Sequence, residues 1–178
     1  MKIRSMNIAD LDEAASVHSL AFPRQTHSYE WLECSLSASP RFLCFVVEEE
    51  CSVIGYIVWM QKSGFRPEAV LELEQLAVLP NRQGKGVGKN LIENSLPLVK
   101  EQLAKQGSTL KHVLVTTRAD NVAQRLYRST LGAEIEATIS NLYSSDEVLM
   151  IARNVNGVSQ CGYTGIGCKP PSNEKAER

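Results

Sequence analysis

The chain is predicted to fold as one α/β (α+β) domain, a mixed sheet with helices on both faces. Strand-like and helix-like segments alternate along it without a consistent βαβ repeat, which is the pattern of a mixed sheet. Its 178 residues, 43% hydrophobic and 22% charged, favour a single domain with a real core. A glycine-rich segment, Gln83-Gly84-Lys85-Gly86-Val87-Gly88-Lys89, follows a strand and opens the longest helix.

Residues 2–6 read as a first short strand, and Asn7 or Asp10 as the cap of the helix that follows. Ile8, Leu11, Ala15, Val17 and Leu20 give that helix its apolar stripe, and Pro23 closes it. Ser28 to Leu36 is a second helix, ending before Pro40. Phe42 to Glu48 and Val53 to Met60 are rich in β-branched and aromatic residues and form a hairpin, although its turn lacks the favoured Asn-Gly. Val70 to Leu79 is the next strand. The glycine segment then leads into a helix reaching about Lys105, where Pro97 predicts a kink or early break and Gly107 marks the end. His112 to Thr117 is a strand, Asn121 to Ser129 a helix, and Ile135 to Ile139 and Val148 to Ala152 two further strands. The domain is assigned to residues 1–154. In the tail, residues 155–178, Gly, Ser, Pro and charge take over, and Lys169 to Arg178 is expected to be disordered.

Nineteen basic residues against twenty acidic ones leave a formal charge of -1. That balance gives no electrostatic footprint for nucleic acid or for an anionic membrane surface. The first residues turn acidic and helical where a signal peptide needs an apolar stretch, and no apolar run approaches a membrane span. A cytoplasmic protein is the expectation. Five cysteines (Cys34, Cys44, Cys51, Cys161, Cys168) without CxxC spacing or paired histidines read as free thiols, with no metal site.

The glycine segment carries the most chemistry. Glycines let the backbone turn tightly and present consecutive N–H groups, and the helix start adds partial positive charge, so a phosphate is the expected occupant. Two common nucleotide motifs fail. A P-loop needs glycine where Gln83 stands and Ser or Thr where Asn90 stands. The dinucleotide fingerprint needs glycine or alanine at Lys89 or Leu91, depending on the reading frame. Glycine-rich turns also open helices with no ligand, so the segment alone leaves the compound open.

Gln83-x-x-Gly86-x-Gly88, preceded by Leu76-Ala77-Val78-Leu79-Pro80, resembles the pyrophosphate loop of the GNAT superfamily of acetyl-CoA-dependent N-acetyltransferases. Asn121, Ala123, Leu126, Tyr127 and Leu131-Gly132 are similar to a second family motif, and Ile54-Gly55-Tyr56 fits the hairpin. The order of elements agrees from about residue 2 to 153. Ala133 departs from the pattern, where the family commonly has an aromatic residue.

The resemblance implies a splayed sheet of six to seven strands, with acetyl-CoA between the strand ending near Val78 and the strand ending near Thr116. Leu76, Ala77 and Val78 would then face the pantetheine arm. Gln83, Gly84, Lys85, Gly86, Val87, Gly88 and Lys89 would hold the pyrophosphate, and Asn121 and Tyr127 would contact the rest of the cofactor. Tyr127 stands where family members carry a proton donor to the sulfur. Thr116 occupies the place where enzymes acetylating protein N-termini often have Glu or His, and threonine cannot act as a base, which weakens that reading.

An amine attacks a thioester only when neutral, yet a lysine-like amine has a pKa of about 10, so the site must accept a proton. Glu72 and Glu74 alternate with Leu71, Leu73 and Gln75 and project from one strand face. Glu72 matches the family's position for a general base and ranks first, Glu74 second. The resemblance frames the acceptor by Phe22 to Trp31 and Ser140 to Glu147, with Phe22, Tyr29, Trp31 and Tyr143 as walls and Glu30, Asp146 and Glu147 as partners for a cation. A small amine, an amino acid and a peptide lysine suit that mixture about equally, and a non-catalytic CoA-binding domain is the rival from another class. Pairing of the last strands into a homodimer is left open.

Overall fold

The computed structural model describes residues 1–155. Seven strands form one sheet: β1 (Lys2–Ser5), β2 (Phe42–Glu49), β3 (Ser52–Gln61), β4 (Glu68–Val78), β5 (Thr109–Arg118), β6 (Glu134–Ile139) and β7 (Glu147–Ala152). Their spatial order is β1-β2-β3-β4-β5-β7-β6. Every neighbouring pair is antiparallel except β4 and β5, which run parallel. The helices are α1 (Leu11–Ala21), α2 (Ser28–Ser37), α3 (Val87–Lys105) and α4 (Gln124–Leu131). Among the described residues no helix is long and apolar enough to cross a membrane.

Strand alternation divides the core into two layers. Cys44, Val46, Tyr56, Val58 and Ala77 pack with Leu11, Ala14 and Val17 of α1 and Leu32 of α2. Phe45, Val47, Ile57, Trp59, Leu71 and Leu73 pack on the other side with Leu91, Ile92, Val99 and Leu103 of α3 and Tyr127 of α4. Trp59 is fully buried, and its indole N–H donates to Ser95 Oγ at 2.9 Å, tying α3 to the sheet.

Local chemistry explains the element ends. Asn7 Oδ1 accepts from Ala9 N–H while Asp10 reaches back to Asn7 N–H, a reciprocal cap on a 3-10 turn that leads into α1. The β2–β3 turn forms without Asn-Gly because Glu50 and Cys51 themselves adopt φ of 52° and 63°, the pair of values that a two-residue hairpin requires. Gly107, at φ 71°, ends α3 as its sequence position predicts.

Three expectations need correction. Ile8 and Leu20 are 77% and 57% exposed, and His18 takes an inward position in α1 instead. Pro97 does not break α3: it lies on the exposed side of the helix, where the carbonyl that loses its donor faces water. The helix expected from Asn121 starts at Gln124, because Asn121 Oδ1 accepts from Ala123 N–H at 2.9 Å and holds a turn ahead of it. The expectations for the tail, with Cys161 and Cys168, lie outside the described residues.

Candidate active site

The parallel pairing of β4 with β5 runs only from Glu68↔Thr109 to Glu72↔Leu114. Both strands continue past that point, to Val78 and Arg118, so the sheet opens between them. Leu79 N–H bonds Ile54 O at 3.0 Å on the β3 side. Backbone groups alternate along a strand, so the peptide groups of Val78 and Leu76 turn toward the gap. Ala77 turns instead to β3, in register with Tyr56. A Cβ on Gly55 would lie 2.8 Å from Ala77 O, so this approach of the two strands requires glycine. Val78 O accepts from Gln83 Nε2 at 3.0 Å, so the side chain of Gln83 closes back onto the strand.

A 3-10 turn at Pro80–Arg82 carries the chain from β4 into the glycine segment. Gly84 and Gly86 have φ of 72° and 80°, and a Cβ at either would meet nothing within 4 Å. Among the described residues no turn or loop acceptor engages the N–H groups of Gly84, Lys85, Gly86, Val87 or Gly88. Gly86 O accepts from Asn90 N–H at 2.9 Å, which fixes the helix start directly behind them. The result is an open cradle of unpartnered donors, the electrostatic complement of a pyrophosphate. Gly88 has a packing role as well, since a Cβ there would stand 3.2 Å from Leu126 Cδ2. Lys85 is exposed, and Lys89 sits 3.7 Å from Glu93 on the surface.

Tyr127 is 7% exposed, in the layer of α3 and α4. Burial pushes its phenol up to about 12, so it stays protonated at neutral pH. Asn121 is held at both ends: Nδ2 donates to Thr117 Oγ1 at 2.8 Å while Oδ1 caps Ala123.

The two carboxylates differ in their surroundings. Glu72 Oε2 accepts from Lys62 Nζ at 2.8 Å and Oε1 from Thr116 Oγ1 at 2.9 Å. Burial, and next the charge of Glu72, push the Glu74 carboxyl above the usual range, while Lys62 pulls it back. A register shift pairs Val58 with Gln75 and Trp59 with Leu73, which leaves Glu74 as the extra residue of a β-bulge. The bulge corrects the expected alternation. Gln75 turns to the α1 side, where its Nε2 lies 3.2 Å from His18 Nε2 and its Oε1 accepts from Tyr56 Oη at 2.7 Å. His18 Nδ1 lies 2.8 Å from Ser28 Oγ. This buried chain ties the start of α2 to β4, and nothing in the spacing of its members announces it.

A cavity of about 240 Å³ lies against the bulge, lined by Trp31, Cys34, Ser35, Phe42 and Glu74. Trp31 is thus the one expected aromatic wall that lines it. Phe22 packs on His18 at a centroid distance of 5.2 Å, and Tyr29 and Tyr143 are 37% and 78% exposed. Glu30 is exposed, Asp146 caps Asn141 N–H, and Glu147 is buried in the sheet beside Arg118.

Residues 8–133 match the acetyltransferase (GNAT) family. The chain belongs to the GNAT family. GNAT proteins are acetyltransferases that use acetyl-CoA, and the splayed sheet and glycine cradle of this GNAT chain fit that compound. Solved structures share the fold. The ribosomal-protein alanine N-acetyltransferase of Escherichia coli superposes with a TM-score of 0.66 at 23% identity, over 93% of this chain and 99% of that one. An aminoglycoside 6′-N-acetyltransferase complexed with coenzyme A superposes at 0.65 and 16% identity, over 86% and 97%. Arabidopsis thaliana NAA60 in complex with a bisubstrate analogue gives 0.66 at 17%, over 84% and 95%. No curated protein sequence matches the chain.

Proposed function

We propose that this GNAT enzyme transfers the acetyl group of acetyl-CoA directly to a primary amine, with Glu74 as general base and Tyr127 as general acid. The observation that carries the reading is the open edge of β4, which has the buried Tyr127 phenol in the layer on one side of the sheet and the Glu74 carboxylate on the other. Acetyl-CoA supplies the thioester carbon and a thiolate leaving group. The cradle from Gly84 to Gly88 holds the pyrophosphate, and the peptide groups of Leu76 and Val78 line the arm. Glu74 takes the proton of the incoming ammonium, because a raised carboxyl is a better match to neutral pH than an ordinary one. The amine nitrogen forms its bond to the acyl carbon as the carbon–sulfur bond breaks. Val78 N–H donates to the acyl oxygen, Tyr127 gives its proton to the departing sulfur, and the second proton of the amine nitrogen, lost as the amide forms, restores the phenol.

Glu72, engaged by Lys62 and Thr116 on both oxygens, acts in this scheme as a fixed charge that tunes Glu74. A small amine is preferred over a protein amine because the cavity beside Glu74, lined on one side by α2, is small. The relatives include ribosomal-protein and aminoglycoside acetyltransferases, so both acceptor classes occur on this fold. The reading includes a cytoplasmic location, supported by cysteines without pairing spacing.

The test is acetyl-CoA turnover by Glu74→Gln. Loss of the acidic limb of the pH–rate profile, with acetyl-CoA still raising thermal stability, supports the assignment. An unchanged profile removes Glu74 from the mechanism. Stabilisation by acetyl-CoA with no turnover of any amine leaves a CoA-binding domain.

A further inference from the structure

The cavity at the bulge carries more than a place for a proton acceptor. Resting on the acetyl-transfer reading above, we infer that it selects a primary monoamine bearing a flat apolar group, an arylalkylamine in chemical class, with Trp31 and Phe42 as the residues that set this specificity.

The lining has two aromatic side chains and a single carboxylate, Glu74. Ser35 Oγ donates to Trp31 O at 2.9 Å within α2, so its hydroxyl proton is committed to the helix. Glu30 and Glu33, the other carboxylates of α2, are exposed and do not line the cavity. One ammonium group finds one counter-charge in the lining, and a second would find none there.

A second cation would also meet repulsion. The Arg41 guanidinium lies over the Phe42 ring, 5.6 Å from its centroid. Lys62 holds Glu72, so that neighbouring carboxylate is already neutralised. A polyamine or an aminoglycoside would bring extra charges for which the cavity lining has no second carboxylate, with Arg41 behind the Phe42 ring.

The apolar part of the lining has the complementary shape. Trp31 is 48% exposed, so part of its indole is uncovered at the cavity it lines with Phe42. An aryl group entering the cavity would meet this indole and the Phe42 ring, and aromatic groups gain from stacking on one another beyond the area they bury. The volume of about 240 Å³ is under the roughly 300 Å³ at which pockets for drug-sized ligands begin, and it suits one ring on a short chain.

The experiment measures thiol release from acetyl-CoA by the full chain with 2-phenylethylamine, n-butylamine, spermidine, tobramycin and a peptide with a free N-terminal alanine. The inference expects kcat/KM for 2-phenylethylamine to exceed each of the others by about tenfold or more. In Trp31→Ala, an exposed position whose truncation leaves the core intact, the ratio of 2-phenylethylamine to n-butylamine collapses toward one. Cys34 gives a readout without turnover: its alkylation by iodoacetamide, followed by mass spectrometry at that residue, is slowed by 2-phenylethylamine and unaffected by equal spermidine. Preference for spermidine, tobramycin or the peptide overturns the inference and leaves acetyl transfer standing, as does an unchanged ratio in Trp31→Ala. Absence of transfer to every amine overturns acetyl transfer itself and this inference with it.

Discussion

Thr116 Oγ1, two residues past the last β4–β5 pair of Glu72 with Leu114, donates to Glu72 Oε1 at 2.9 Å. This bond pins the two strands at the root of the gap and holds one carboxylate in place beside a second, Glu74. The pair is electrostatically coupled, and Lys62 sits on the Glu72 side of it.

Opposite pH shifts follow from that coupling. Glu72→Gln removes a negative neighbour that raises Glu74, so the acidic limb of kcat/KM is expected to move to lower pH. Lys62→Met removes the cation that lowers Glu74, so the limb moves to higher pH. Parallel pH–rate profiles of the two variants check this. A Glu72→Gln enzyme with no acidic limb at all would instead identify Glu72 as the base.

Tyr127→Phe is expected to lower kcat by about a hundredfold while leaving the KM for acetyl-CoA close to wild type, the cost of losing a proton donor. The phenol titrates near 12, so the wild-type rate shows no alkaline decline from this group in the neutral range. Steady-state kinetics across pH decide both points.

Gly86→Val combines two penalties. The φ of 80° costs a residue with a Cβ about 1–2 kcal/mol, and the side chain projects into the open cradle. Thermal unfolding should show a modest loss of stability. The KM for acetyl-CoA should rise more than tenfold, with the KM for the amine moving little.

His18 makes stability pH-dependent. Burial holds its imidazole below the ordinary value of 6.5. Because Gln75 Oε1 accepts from Tyr56, Gln75 Nε2 donates to His18 Nε2, so the proton of the neutral ring sits on Nδ1 and points to Ser28. The unfolded chain binds a proton more readily than the folded one. The contribution is therefore complete above about pH 6.5 and is lost as pH falls below that. Denaturant unfolding at pH 7 and pH 5 should show a larger difference in wild type than in His18→Gln.

The sequence made legible whatever is written in consecutive residues. The glycine cradle and the strand leading to Val78 are local features, and each stands where its spacing places it. Glu72 and Glu74 were both legible as candidates, but the surroundings that distinguish them were not. The difference between them comes from Lys62 and Thr116, which reach Glu72 from ten and forty-four residues away. The Gln75 reversal was hidden for a different reason: a bulge arises from the register between β3 and β4, and a period-two pattern read on β4 alone misses it. Pro97 misled because the rule concerns a lost hydrogen bond, and the cost of that loss depends on which side of α3 faces water.

The gap between β4 and β5 gives an interior strand the character of a border. Borders of sheets invite other chains to add to them, and proteins ordinarily blunt them with charge, proline or a covering segment. Here the blunting comes from Gln83, whose amide takes Val78 O, and from Pro80, which has no N–H to offer an incoming strand. A residue first singled out for ligand contact thus also covers an acceptor that an added strand would use. Shortening the side chain at position 83 would be felt in how the protein behaves when concentrated as well as in how fast it turns over.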